Sequence, residues 1–299
     1  MAGGASVFTR LLSKDFLARV WARTEADEVL GRSAQLSYYF LLALFPLLLF
    51  LITLFGYFNS AGTGLRHQLI SYLGDVMPSL ALQLIVKTID EVTNARGGGK
   101  LSFGLLVALW TASSGMNAIG QALNVAYDVR ETRRWWKLRL LSMGLTVALA
   151  ILIISALLIV LYGGQLGDFL AAFIDEGHAF SLAWRILQYP IALAFVFIAF
   201  SLIYRFAPNL GAKRRGKHLP ASDYRRRWIS PGVVVAVILW LLVSLGFRLY
   251  LHFFNSYSAT YGSLGALIIM MLWFYLTGAA ILLGGEINCE WESSDQTSP

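Results

Sequence analysis

The chain has 299 residues, of which 57% are hydrophobic and 14% charged, with a mean hydropathy of +0.63. Soluble domains carry about 25% charged residues, so an ordinary water-soluble enzyme, a disordered chain and a disulfide scaffold are excluded. Cys289 is the one cysteine, which removes an intrachain disulfide and a Cys-based metal cluster.

The first 33 residues are mixed and charged. Phe8, Leu11, Leu12, Phe16, Val20 and Trp21 form a rough helical stripe among Arg10, Lys14, Arg19 and Arg23. That pattern predicts an amphipathic helix on the cytoplasmic surface. No cleavable leader is read there, so the first apolar stretch is expected to act as an uncleaved anchor. Six stretches are long enough to cross a hydrocarbon core, which takes about 20 apolar residues. They lie near 34–58, 101–127, 139–162, 184–206, 231–254 and 263–287. The fold class expected is therefore an all-α integral membrane protein. A six-transmembrane helical bundle over 34–290 follows the segment 1–33 and precedes a short polar tail, 291–299. Between the first two spans, Leu82, Ile85, Val86, Ile89 and Val92 recur at helical spacing after Pro78, predicting a helical outer loop.

Charge orients the bundle. With the N-terminus inside, 18 of the 24 Lys and Arg residues fall on the cytoplasmic side, together with 11 of the 17 acids. The whole net charge of +7 then lies on that side, as the positive-inside rule requires, and both termini are cytoplasmic. The basic run from Lys213 to Arg227 is accounted for by topology and anionic headgroups. No nucleic-acid partner is inferred from it. Trp135, Trp136, Trp184 and Trp228 stand at span ends, where amphipathic rings anchor at the interface.

Polar residues inside the spans are the candidate site. Asn117, Gln121, Asn124 and Asp128 follow steps of four, three and four on the second span, so they share a face, with Ser114, Ala118, Ala122 and Ala126 beside it. Such a face either bonds across helices or lines a wet cavity. Gln35, Ser37, Arg205, Glu286 and Asn288 fall at a similar depth, which suggests a cytoplasm-facing vestibule. Glu286 and Arg205 either pair inside it or sit separately at the interface. Arg248 and His252, one turn apart on the fifth span, either snorkel outward or form a basic site for an anionic headgroup or solute. Pro46 and Pro190 interrupt helical bonding and offer kinks.

Several ordered motifs resemble a known family. They are Tyr38-Tyr39 with Leu44-Phe45-Pro46-Leu47, Ala122-Leu123-Asn124-Val125-Ala126-Tyr127, and Glu131-Thr132-Arg133. Then come Tyr204-Arg205-Phe206-Ala207-Pro208-Asn209, Tyr261-Gly262-Ser263-Leu264-Gly265, Leu272-Trp273-Phe274-Tyr275 and Gly284-Gly285-Glu286-Ile287-Asn288. From about Ala34 to Glu290 the chain resembles the YihY/BrkB family of bacterial inner-membrane proteins, departing at Gln35 and Ser37, where small or apolar residues are expected. The resemblance implies an inner-membrane location and a link to envelope biology, including virulence and serum resistance in some members. It brings no agreed activity, although members have carried a ribonuclease label.

Four readings compete. A transporter or lipid-handling protein would use Asn117, Gln121, Asn124, Arg205, Arg248 and Glu286 as cavity or headgroup contacts. Its partners would be membrane lipids, with an anionic lipid or amphipathic solute as cargo. A non-catalytic scaffold of an envelope assembly is the alternative. A ribonuclease is disfavoured, because His67, His178, His218 and His252 are scattered without metal-pair spacing, and no metal or cofactor is expected. An intramembrane protease built on Ser263 and His252 is disfavoured too, since Gly262 to Gly265 reads better as a close packing turn.

Overall fold

The computed structural model describes residues 13–58, 98–171, 177–211, 230–253 and 257–295. Among them are seven helices and no strand: α1 (Lys14–Ala26), α2 (Val29–Phe58), α3 (Gly98–Ala126), α4 (Trp135–Ala171), α5 (Gly177–Phe206), α6 (Pro231–Phe253) and α7 (Tyr257–Asp295). The stripe from Leu82 to Val92, the basic run from Lys213 to Arg227, Trp228, and positions Phe8, Leu11 and Leu12 lie outside the described residues. So do the side chains of all four histidines and of Ser263.

Local chemistry sets the first breaks. Ser13 caps α1, its hydroxyl accepting from the Phe16 N–H at 3.3 Å, with Asp15 in the first turn and Arg23 in the last. Glu28 (φ 51°) then adopts the left-handed conformation that separates α1 from α2. Asp128 (φ 56°) does the same after α3, a position short acidic and amide side chains tolerate better than most. Asp128 therefore stands beyond the helix and does not extend the face of Asn117 and Gln121. Pro46 and Pro190 lie inside α2 and α5, which continue through them.

Helices that follow one another in the chain pack side by side, from α2 to α7, and α7 returns to pack on α2. The result is a closed ring, with α3 also touching α7 across it. Its interior holds Leu123, Leu282, Val233, Ala236 and Tyr204, all at most 4% exposed. Small residues permit the closest approaches. A side chain at Gly284 would collide with the Tyr204 hydroxyl, the Gly232 carbonyl and Ala236, and one at Gly232 would meet the Gly284 carbonyl and Asn288. Gly120 lies against the Ala207 carbonyl in the same way.

Four stretches among the described residues are long and apolar enough to cross a membrane: Trp135–Val160, Ile186–Phe206, Pro231–Tyr250 and Leu267–Ser294. Their outer faces carry bare aliphatic side chains, among them Ile151, Leu157, Leu242, Leu245 and Ile268. Soluble monomers rarely leave such an extended apolar surface uncovered. Hydrocarbon is the solvent that suits it.

Candidate functional site

Among the described residues, the polar side chains singled out in the spans have different neighbours. They separate into three places, because the neighbour of each helix changes along its length.

The first place is a cleft of about 360 Å³ between α2 and α3. Arg32, Gln35 and Tyr39 line it from α2, and Ser114, Asn117 and Gln121 from α3. Gln35 and Gln121 are exposed, while the Asn117 Oδ1 is buried and accepts no hydrogen bond. Arg32 sends its Nε to the Asp27 carbonyl at 2.8 Å. From α4, Arg139 reaches Ser114 Oγ at 3.2 Å, donates to the Trp110 carbonyl, and stacks its guanidinium 4.1 Å from the Trp110 ring centroid. Sequence reasoning passed over Arg32 and Arg139, which fall at the margins of apolar stretches. The legible signal was that Arg32, Gln35 and Tyr39 stand at helical spacing.

Asn124 belongs to the second place. It is 4% exposed and its amide is used twice. Nδ2 donates to Glu131 Oε2 at 2.9 Å, and Oδ1 accepts the Asn209 N–H at 2.7 Å. Arg133 pairs with Glu131 at 2.6 Å and donates to the Ala207 carbonyl at 2.8 Å. The Asn209 side chain in turn donates to Thr132 Oγ1 at 2.8 Å. Residues from three of the recognised motifs thus tie the end of α3, the α3–α4 turn and the end of α5 into one bracket. Burial alone would raise the Glu131 pKa, but the hydrogen bonds from Arg133 and Asn124 outweigh it and hold the carboxyl below its usual range.

Glu286 marks the third. In place of the two arrangements left open for Glu286, the structure shows a third: Glu286, 0% exposed, accepts from Arg23 Nε of α1 at 3.0 Å. Arg23 also donates to the Ala126 carbonyl and to Cys289 Sγ, both at 3.0 Å. Burial works against the Arg23 charge, but Cys289 and Glu286 more than compensate and raise its pKa. Arg19 meets Glu290 at 2.5 Å, and Phe16 packs edge-on against Trp291 with centroids 6.3 Å apart. Phe16, Val20 and Thr24 are therefore buried against the end of α7, while Leu17 and Trp21 remain exposed. Asn288, one turn away, accepts the Gly232 N–H at 2.8 Å and donates to the Tyr127 hydroxyl at 3.0 Å.

The other two candidates stand apart. Arg205 lies over the Phe206 ring at 5.6 Å, and Arg248 is exposed on α6 between exposed Leu245 and Leu249. Among the described residues no group of three His, Cys, Asp or Glu side chains is placed to hold a metal.

Among the described residues, an all-helical ring with an aliphatic exterior and four helices able to cross a membrane defines a membrane protein. The chain matches the virulence factor BrkB family over residues 20–299 and belongs to it. It is 39% identical to YfkH of Bacillus subtilis, a protein with a ribonuclease-like name, over 91% of this chain and 94% of that one. It is 27% identical to a UPF0761 membrane protein of Xanthomonas campestris pv. campestris, and 28% identical to one of Xanthomonas axonopodis pv. citri. In both cases 90% of this chain is matched, but it spans only 58% and 59% of the relatives' lengths. No solved structure matches.

Proposed function

We propose that this protein spans the bacterial inner membrane six times, with both termini cytoplasmic, and handles a lipid or an amphipathic solute without catalysing a reaction. At 30 and 29 residues, α2 and α3 are long enough to supply the remaining two spans, since each residue adds about 1.5 Å. The topology draws support from the way α1, the α3–α4 turn and the ends of α5 and α7 meet through Arg23 and Arg133. Of these, α1 and the α3–α4 turn are rich in Lys and Arg, and the chain after α5 leads into the basic run from Lys213 to Arg227.

The observation that carries the reading is the α2–α3 cleft. A polar groove between two helices of an otherwise aliphatic bundle is costly in lipid unless polar matter fills it. An amphipathic molecule suits it, with its headgroup in the groove and its chains alongside.

Mass spectrometry of lipids retained after gentle purification, against an unrelated six-span protein, tests the proposal. Enrichment of one lipid or amphiphile class is expected. A profile equal to the control's would overturn it. Purified protein is also expected to leave precursor transfer RNA intact with Mg²⁺ or Zn²⁺, and cleavage would restore the nuclease reading.

A further inference from the structure

Arginines in this protein fall into two groups. Arg19, Arg23 and Arg133 each pair with a carboxylate, on Glu290, Glu286 and Glu131. Arg32 and Arg139 have no ion-pair partner among the described residues. Both are half-buried, and both are held by neutral groups that fix their position without cancelling their charge: the Asp27 carbonyl for one, the Trp110 carbonyl and ring and Ser114 for the other. Arg32 lines the cleft, and Arg139 grips Ser114 in its opposite wall.

An arginine held partly out of water ordinarily finds a counter-charge. Here Arg32 lines a groove whose described lining includes Gln35, Asn117 and Gln121 but no Asp or Glu, and Arg139 stands behind that lining, bonded to Ser114. The Asn117 side-chain oxygen is buried with no donor, an acceptor placed for a headgroup hydroxyl and not for a phosphate oxygen. Guanidinium forks and amide donors are the set that recognises phosphate oxygens, in bidentate and charge-assisted contacts. Tyr39 adds aromatic surface suited to the boundary between headgroup and chain.

We infer that the α2–α3 cleft is a phosphoryl-anion site, with Arg32 and Arg139 as its charged groups, and that the phosphoryl group arrives on a lipid of the cytoplasmic leaflet. This rests on the lipid-handling reading and narrows it to anionic phospholipid headgroups. The site has no use for Arg205 or Arg248.

The test titrates full-length protein in mild detergent with short-chain phosphatidylglycerol, phosphatidylcholine of equal chains, and inorganic phosphate, with bound species read by native mass spectrometry. Wild type is expected to prefer phosphatidylglycerol. Arg32→Gln and Arg139→Gln are each expected to weaken that binding about tenfold, the worth of one charge-assisted contact. Exposed Arg134→Gln leaves it unchanged.

Arg32→Lys and Arg139→Lys, which keep the charge, should retain more binding than the Gln variants. They also provide a reading if a Gln variant fails to fold. Unchanged phosphatidylglycerol binding in both Gln variants overturns the site, even where wild type still enriches lipid and the broader function survives. Loss of lipid enrichment in wild type itself overturns the function. Binding of inorganic phosphate without phosphatidylglycerol overturns the lipid source, and identical affinities for the two phospholipids overturn the preference for anions.

Discussion

Replacing Asn124 with Asp exchanges one NH₂ for an oxygen at almost constant size, so it isolates the bracket's electrostatics from its packing. The Asn209 N–H keeps its acceptor at 2.7 Å. Where Nδ2 donated to Glu131 at 2.9 Å, a second carboxylate now faces the first. The lost bond to a charged acceptor is worth roughly 1.5–3 kcal/mol. Repulsion adds to this, reduced because Arg133 stands 2.6 Å from Glu131 and that side chain is 23% exposed. The net destabilisation expected at pH 8 is about 2–4 kcal/mol, relieved as pH falls and the pair takes up a proton. Unfolding of the detergent-purified protein, followed by tryptophan fluorescence, measures it. Asn124→Asp combined with Glu131→Gln restores a donor opposite the new carboxylate and should recover most of the loss. If Asn124→Asp is as stable as wild type at pH 8, or the double variant is no better than the single, Asn124 is not a bracket residue. Loss of lipid retention at unchanged stability would return it to the cleft.

Three further outcomes follow from the same geometry. Because Glu131 titrates below its unfolded value of about 4.3, its contribution is complete above that pH and disappears as pH falls through the lower folded value. The wild-type melting temperature should therefore fall more steeply below pH 4.3 than that of Glu131→Gln. Gly284→Ala would drive a methyl into Tyr204, Gly232 and Ala236 and should cost at least ~1–3 kcal/mol, whereas Gly144→Ala, with open space around it, should be neutral in the same melt. Arg23→Ala leaves buried Glu286 without its cation, a loss of roughly 3–5 kcal/mol, and should make α1 susceptible to trypsin at Lys14 and Arg19.

Hydropathy located the helices, because bilayer-facing surface must be apolar whatever it packs against. The helices run beyond the apolar stretches. α2 begins at Val29, α4 reaches Ala171 and α7 reaches Asp295, each past its apolar stretch, since backbone hydrogen bonding continues where side chains turn polar. The shared face of Asn117, Gln121 and Asn124 was also legible from spacing, yet the residues do different work. Asn117 and Gln121 look across to α2, whereas Asn124, a turn further on, meets the residues that follow α5. Periodicity reports direction around a helix and is silent about which neighbour stands there. Arg23 and Glu286 are 263 residues apart. A lone acid among apolar residues announces its need for a cation, but which arginine answers depends on where α1 docks, and only packing decides that.

That docking bears on how the molecule is made. The clasp of Arg19, Arg23 and Phe16 on Glu290, Glu286 and Trp291 joins the earliest-synthesised helix described to the last. Until the end of α7 leaves the ribosome, α1 has nothing to grip and Arg23 lacks the Glu286 carboxylate. Premature termination within α7 would leave the ring open along α2 with its interior exposed. A quality-control protease could then distinguish finished chains from unfinished ones by whether their amino-terminal helix is free.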